Sequence, residues 1–145
     1  MSEKSEKNMI EVLIVEPEKE PRLEKISDDL KSMQAIVGGW IEPSHPFMDE
    51  AVIVCNEFGE VNELPYNRLI ISDYSEEIID IIRGTFFVAY APADAENFQS
   101  LPKDLAEKYM EKFRYPERFY ETATTIRVDT LNPNLFKNTR SNEAR

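Results

Sequence analysis

The longest nearly continuous apolar run in the chain is Ile78-Ile79-Asp80-Ile81-Ile82-Arg83-Gly84-Thr85-Phe86-Phe87-Val88-Ala89-Tyr90-Ala91-Pro92. Its second half is rich in aromatic and β-branched residues, a composition typical of a strand that is buried on both faces. Gly84 permits a sharp turn into this strand, because glycine has no side chain to obstruct one. We therefore predict a central strand over residues 85–91, ended by Pro92, and expect the rest of the chain to pair with it or cover it.

Other segments have the patterns of strands that would join the central one. Apolar residues alternate with polar residues or run together at 9–16, 22–26, 39–43 and 51–56. Gly59 suits the left-handed position of a tight hairpin turn, after which residues 61–64 return as a short strand. Two segments are ambiguous: residues 67–71 fit a short strand or a helical turn, and residues 76–82 fit a helical turn or an extended lead-in. The pattern predicts a mainly antiparallel sheet.

A helix is predicted from about residue 28 to residue 37. Its apolar side chains recur at helical spacing and form a single stripe, made of Leu30, Met33, Ile36 and Val37. Ser27 is in the position of an N-cap, and Gly38-Gly39 is a suitable end for the helix. We expect this helix to cover one face of the sheet.

The chain after Pro92 has a different pattern. Residues 94–99 resemble a short helix, and a longer helix is predicted from Pro102 to about Arg114. The longer helix has an apolar stripe of Leu105, Tyr109 and Phe113. Residues 117–128 hold enough apolar side chains to pack as an arm over the body.

These elements predict one α+β domain with an added C-terminal helix and arm. The α+β core would cover residues 9–92, and the helical extension with its packing arm residues 93–130. Residues 1–8 are expected to be a flexible N-terminus and residues 131–145 a disordered tail, because both are polar and terminal.

Composition excludes several classes of protein. A chain of 145 residues with 41% hydrophobic residues is long and apolar enough to bury a core. It has one cysteine, so it has no intramolecular disulfide and no cysteine-rich zinc site. No run approaches the roughly 20 apolar residues that a membrane helix requires. The N-terminus is polar and unlike a signal peptide, which predicts a cytoplasmic location.

The negative charge is concentrated in the middle of the chain. Residues 42–100 contain twelve acidic and two basic residues, a net charge of −10 out of −11 for the whole chain. Such a surface repels phosphate backbones, so direct binding of nucleic acid is not expected. The excess has two interpretations: a charge that maintains solubility, or an acidic face that docks a basic protein.

Four short motifs resemble an uncharacterised family, domain of unknown function 3846. They are Ile36-Val37-Gly38-Gly39-Trp40-Ile41-Glu42, Val54-Cys55-Asn56-Glu57-x-Gly59, Leu64-Pro65-x-Asn67-Arg68 and Ile81-Ile82-x-Gly84-Thr85-Phe86-Phe87. Residues 101–119 are similar to an extension of some members, so the resemblance covers roughly residues 9–119. It implies a small α+β domain, often carried by phages, mobile elements or Gram-positive bacteria. The family has no established activity, and none of the motifs is a catalytic signature.

The most suggestive polar pair is Asn67-Arg68. Arg68 is one of the two bases in the acidic block, and an arginine there can hold a carboxylate or phosphate of a ligand. The other interpretation is an internal ion pair with Glu42, Glu57 or Asp80. If the strands align, Asn56-Glu57 and Gly84-Thr85 are neighbours of this pair. The candidate site is therefore Asn56, Glu57, Asn67, Arg68, Gly84 and Thr85.

Neither His45 nor Cys55 indicates catalysis or metal binding. His45 is the only histidine and lies between Ser44 and Pro46, where a loop is the simpler interpretation. Cys55 lies within an apolar strand, where a thiol is buried and inert. We therefore predict no catalytic residue, no metal and no cofactor.

Two hypotheses lead for function, and a third, a hydrolase that uses His45, ranks last. The first is a non-enzymatic protein-interaction module of a phage or mobile element, with an acidic face, a protein partner and no membrane. The alternative is a small-molecule-binding domain that holds an anionic ligand through Asn67 and Arg68. The sequence leaves the oligomeric state open, and also whether residues after Pro116 pack on their own protomer.

Overall fold

The computed structural model of the protein describes residues 8–132. The predicted flexible N-terminus and disordered tail therefore lie, apart from residues 8, 131 and 132, outside the described residues. The elements are β1 (Met9–Val15), β2 (Arg22–Ser27), α1 (Leu30–Val37), β3 (Ile41–Ser44), β4 (Ala51–Asn56), β5 (Tyr66–Ile71), β6 (Ile78–Arg83), β7 (Phe86–Tyr90), α2 (Lys103–Lys112), β8 (Glu117–Glu121) and β9 (Ile126–Thr130).

Five strands form the main sheet, in the order β2-β1-β7-β4-β3 and with every neighbouring pair antiparallel. The central strand is β7, as predicted: Val88 faces Leu13 of β1 on one side and Ile53 of β4 on the other. The five segments predicted to form the sheet coincide with these five strands. An α+β fold with a mostly antiparallel sheet is confirmed.

The three inner strands of this sheet, β1, β7 and β4, are buried on both faces, and alternate residues of each strand point to opposite faces. One face packs on α1 through Met33 and Val37. The other face packs on α2 through Tyr109, and on Phe113 just beyond it. This burial on two sides explains why β4 and β7 read as continuous apolar runs rather than as alternating ones.

The helix α1 ends as predicted but begins later. Gly38 has a φ of 82° and closes the helix in the left-handed conformation, with its N–H bonded to the Gln34 carbonyl. The predicted N-cap, Ser27, is wrong: it is the last residue of β2. Asp29 is the N-cap instead, because its Oδ1 accepts the Ser32 N–H at 2.7 Å.

Two other local predictions were wrong. Gly59 does not form a hairpin with a returning strand at 61–64. Residues 57–63 form consecutive turns closed by local backbone bonds, and Gly59 is not among the residues with positive φ. The helix predicted at 94–99 is also absent: the chain forms a turn at 93–94 and a bend at 96–97, and Gln99 then forms a bridge with Tyr90.

Two hairpins stand outside the main sheet. Strands β5 and β6 pair with each other, so both ambiguous segments are strands. Strands β8 and β9 form the second hairpin. Its β8 lies against β5 of the same chain, where Phe119 stacks on Tyr66 with the ring centroids 5.1 Å apart. The arm after Pro116 thus packs on its own protomer.

Candidate functional site

The Asn67-Arg68 pair lies in the interior, where several segments meet. Arg68 has 1% of its surface exposed and is the largest of the fully buried side chains. Its Nη2 donates to the carbonyls of Lys19 and Phe113 at 2.7 and 2.8 Å. Its Nη1 donates to Asn67, at 2.9 Å to Oδ1 and 3.4 Å to the carbonyl oxygen. Arg68 therefore joins β5 to the β1–β2 turn and to the chain just after α2.

Asn67 extends the same network towards the main sheet. Its Nδ2 donates to the carbonyl of Val15 at 2.9 Å and to the carbonyl of Gly84 at 2.8 Å. Gly84 turns the chain from β6 into β7 with a φ of 85°. The turn that the sequence predicts at Gly84 is thus stabilised by the side-chain amide of Asn67, which is also a predicted site residue.

The charge of Arg68 is balanced by carbonyl dipoles rather than by an ion pair. The interpretation that paired it with Glu42, Glu57 or Asp80 was wrong, because its hydrogen bonds end on oxygens of Lys19, Asn67 and Phe113. Burial lowers the pKa of Arg68 to about 10, and the charge of Glu117 opposes this shift. The guanidinium remains protonated at neutral pH, and its Nη groups form hydrogen bonds only inside the protein.

The other predicted site residues lie around this network. Asn56 donates from Nδ2 to the Val37 carbonyl at 3.1 Å and accepts the Phe58 N–H at 2.8 Å, so it secures the end of α1. Glu57 is exposed, and Thr85 is half-buried beside Gly84. The structure thus joins Asn67, Arg68 and Gly84 by hydrogen bonds, whereas the hydrogen bonds of Asn56 go elsewhere.

An acidic groove lies between β6 and the ends of β3 and β4. The cavity has a volume of about 110 Å³, and its carboxylates belong to Glu42, Glu57, Glu60 and Asp80. All four side chains are exposed. In the part of the chain that the structure describes, no group of three or more histidine, cysteine or acidic residues has an arrangement that would hold a metal ion.

An exposed apolar surface lies at the turn end of the β5–β6 hairpin, next to Asp80 of the groove. We call it the hairpin tip and define it by its exposed side chains Ile71, Tyr74, Ile78 and Ile79. Ile78 and Ile79 are consecutive in β6, with 58% and 51% of their surfaces exposed. Successive strand residues point to opposite faces, so neither face of β6 is covered at this end.

Neither base of the acidic block forms an ion pair with these carboxylates. Arg68 is buried. Arg83 is half-buried and lies in the wall of the acidic groove, where its Nε donates to the Leu64 carbonyl at 2.7 Å and its guanidinium carbon lies 4.2 Å from the centre of the Tyr66 ring. Ten of the twelve acids in residues 42–100 are exposed, and none of these ten forms an ion pair within residues 8–132. The middle block therefore presents mostly unpaired carboxylates.

Cys55 and His45 have the character that the sequence indicates. Cys55 is buried beneath the groove, and burial, with smaller contributions from Glu42 and Asp80, raises the pKa of its thiol to about 12. The thiolate is therefore negligible at neutral pH, and the thiol is a poor nucleophile. His45 is an exposed residue directly after β3.

Sequence reasoning missed the hairpin tip. Ile78 and Ile79 were interpreted as part of a buried run, although Asp73, Glu76, Glu77 and Asp80 surround them in sequence. That density of charge is difficult to bury, and it was the available sign that the start of β6 is exposed. The two-stranded pairing with β5, which leaves this end uncovered, could not be read from residue types.

Comparison with known proteins identifies a family but no activity. Searches of curated proteins and of solved structures found no match. Within residues 8–132, no helix is long and apolar enough to cross a membrane. Residues 10–114 match the family described as Domain of unknown function (DUF3846). Because this match spans more than half of the chain, the protein belongs to the DUF3846 family.

Proposed function

We propose that the protein is a non-enzymatic interaction module that binds a basic protein through the acidic groove and the hairpin tip. The exposed pair Ile78-Ile79 carries this proposal. We further propose that the module is cytoplasmic and serves a phage or mobile element, as the family resemblance implies.

The hairpin tip has the properties of a docking surface. Each exposed side chain of the hairpin tip leaves apolar area in water, and burying that area against a partner would contribute about 25 cal/mol per Å². Contiguous exposed apolar residues rimmed by polar ones mark interaction sites more often than scattered single residues do. The rim here consists of Asp73, Glu76, Glu77 and Asp80.

Charge indicates the chemistry of the partner. Exposed carboxylates that are not held in ion pairs attract a positively charged surface and repel an acidic one. At an ionic strength of about 0.1 M, charges more than about 10 Å apart are largely screened, so salt should weaken such a complex. The partner is therefore expected to present lysine or arginine around an apolar centre.

The alternative function, an anionic ligand held by Asn67 and Arg68, has less support. The Nη groups of Arg68 and the Nδ2 of Asn67 already donate to backbone carbonyls or to each other. A ligand that used these donors would have to replace internal bonds that join four segments of the fold, and the remaining donor, the Nε of Arg68, is buried. The network is better explained as the support that holds the hairpin against the sheet.

The test is an affinity capture from host lysate with three versions of the tagged protein: the natural chain, Ile79→Ser and Ile126→Ser. The natural chain is expected to retain one protein near stoichiometry at low salt and release it as salt rises. Ile79→Ser should weaken retention about tenfold, the effect of losing roughly 1.4 kcal/mol at the centre of an interface.

Ile126→Ser is the matched control, because Ile126 is an exposed isoleucine of β9 on the other hairpin. It should leave retention unchanged. A complex that is insensitive to salt, or equally weakened by both substitutions, would contradict a docking surface at the groove and tip.

A further inference from the structure

A second cavity lies where β8 crosses the start of β5 and the turn between β1 and β2. Its volume is about 300 Å³. Its apolar walls are Pro17, Pro65 and the rings of Tyr66 and Phe119. We call it the aromatic cleft. A volume of this size is at the lower end of those that bind small ligands, and predominantly apolar walls are typical of such sites.

Most of the ionic groups at the aromatic cleft already have partners. Glu18 forms an ion pair with Arg118, with 3.4 Å between Oε2 and Nε. Arg83 is bonded to the Leu64 carbonyl, and the hydroxyl of Tyr66 is bonded to the carboxylate of Glu121. These contacts neutralise one another and leave Glu117 as the remaining carboxylate in the wall of the cleft.

Glu117 is half-buried and only partly satisfied by the protein. Its Oε1 accepts the Leu69 N–H at 2.8 Å. The charge of Arg68 lies behind it, but the Nη groups of Arg68 are engaged by Lys19, Asn67 and Phe113. Burial raises the pKa of Glu117, and neither the Leu69 bond nor Arg68 fully offsets this effect. A cation arriving in the cleft would therefore stabilise the ionised form.

We propose that the aromatic cleft binds an alkylammonium or alkylguanidinium group. The cationic end would meet the Glu117 carboxylate, and the alkyl chain would lie against Phe119 and the two prolines. The walls suit this ligand, because aromatic faces attract cations as well as apolar chains. The source is a small free amine or guanidine, or a lysine or arginine side chain of a protein. This inference is independent of the docking surface at the hairpin tip.

The test is a titration of the full chain followed by ¹H–¹⁵N NMR. Butylguanidinium and butylammonium are the cationic probes, and butylurea is the uncharged probe of nearly the same shape as butylguanidinium. The cations should produce saturating shifts of the Leu69 and Phe119 amide signals, and butylurea should produce none. Adding acetyl-Ala-Arg-Ala-amide distinguishes the sources: tighter binding of this peptide indicates a protein side chain, and weaker binding a free small molecule.

Two substitutions separate a site from general attraction to an acidic protein. Glu117→Gln retains an acceptor for the Leu69 N–H but removes the charge, and it should raise the Kd at least tenfold. Glu107→Gln removes an exposed carboxylate of α2, away from the residues that line the cleft and the groove, and should leave the Kd unchanged. Thermal melting of each variant checks that both are folded.

The inference is overturned by either of two results. One is a set of shifts that rise linearly with probe concentration and spread over the acidic residues. The other is equal binding of butylguanidinium by the natural chain and by Glu117→Gln. Neither result affects the capture experiment with Ile79→Ser, so the two proposals fail separately.

Discussion

Arg68 shows how one residue can organise a small fold without forming an ion pair. Its guanidinium brings together carbonyls from a turn 49 residues away and from the end of a helix 45 residues away. Carbonyl dipoles stabilise a buried cation less than a carboxylate does, but they come from fixed backbone that loses no side-chain entropy on ordering. The planar fork allows several bonds at once, which a lysine does not.

We predict that Arg68→Lys lowers the free energy of unfolding by about 3 kcal/mol. A lysine retains the charge but loses the geometry that reaches Lys19, Asn67 and Phe113 together, so buried carbonyls are left unpaired. Urea denaturation measures the change. Arg114→Lys is the control, because Arg114 is a half-exposed arginine after α2, and its substitution should cost less than about 0.5 kcal/mol. Equal costs for the two variants would argue against the network.

At the residue scale the sequence indicates which residues matter but not what they do. Asn67-Arg68 stood out because bases are rare in the acidic block. Its partners were unpredictable, since Val15, Lys19 and Phe113 contribute backbone oxygens that any residue type would supply. The same holds for Asn56, because its hydrogen bond to the Val37 carbonyl depends on the position of the end of α1 in the fold.

At the element scale, the apolar run of residues 78–92 is divided by one glycine. Gly84 separates β6, which pairs with β5, from β7, which is central in the main sheet. The second half was predicted correctly because β7 is buried on both faces and reads as a continuous apolar strand. The first half is also apolar, but its start lies at a surface, and only the acidic residues around Ile78-Ile79 indicate that difference.

At Gly59, the turn of residues 57–63 packs directly against the backbone of strand β6. A Cβ on Gly59 would lie 2.7 Å from the carbonyl oxygen of Arg83, which is backbone and moves only with β6. We predict that Gly59→Ala lowers the free energy of unfolding by about 2–3 kcal/mol, the upper part of the range of about 1–3 kcal/mol expected for overpacking.

Gly38→Ala is the comparison for this prediction. Gly38 has a φ of 82°, and the nearest atom to its added Cβ would be 4.0 Å away, so the cost is conformational only, about 1 kcal/mol. Denaturant midpoints of the two variants give the order. A larger loss for Gly38→Ala would show that the turn and β6 are free to separate.

At the scale of the whole molecule, the architecture follows from hydrophobic periodicity and the surface from charge. Both buried clusters are drawn from residues between Ile10 and Phe113. The five strands of the main sheet have patterns strong enough for each strand to be predicted separately. Because the inner strands are apolar on both faces, each face of the sheet must then pack against a further element, here α1 or α2. The hairpins could not be placed in this way, because each has only one or two side chains that contact the rest of the fold through apolar atoms, among them Ile70, Ile82 and Phe119.

All members of the two buried clusters lie within residues 10–114, the range of the family match. We therefore predict that residues 1–114 fold without the β8–β9 hairpin. Removing residues 115–145 takes away the Tyr66–Phe119 stack and the Glu117 acceptor for Leu69. It removes no member of either cluster. A chain shortened only by residues 133–145 is the control, since it retains the whole hairpin.

We expect the shorter chain to unfold cooperatively, with a Tm roughly 5–15 °C below that of the control, because a loss of about 2–3 kcal/mol shifts the Tm of a domain this size by several degrees per kcal/mol. Thermal melting followed by circular dichroism measures the shift. A shortened chain without a cooperative transition would show that the hairpin is part of the folding unit. In that case the aromatic cleft would lie inside the folding unit. It would not be a site between an added hairpin and a domain that folds without it.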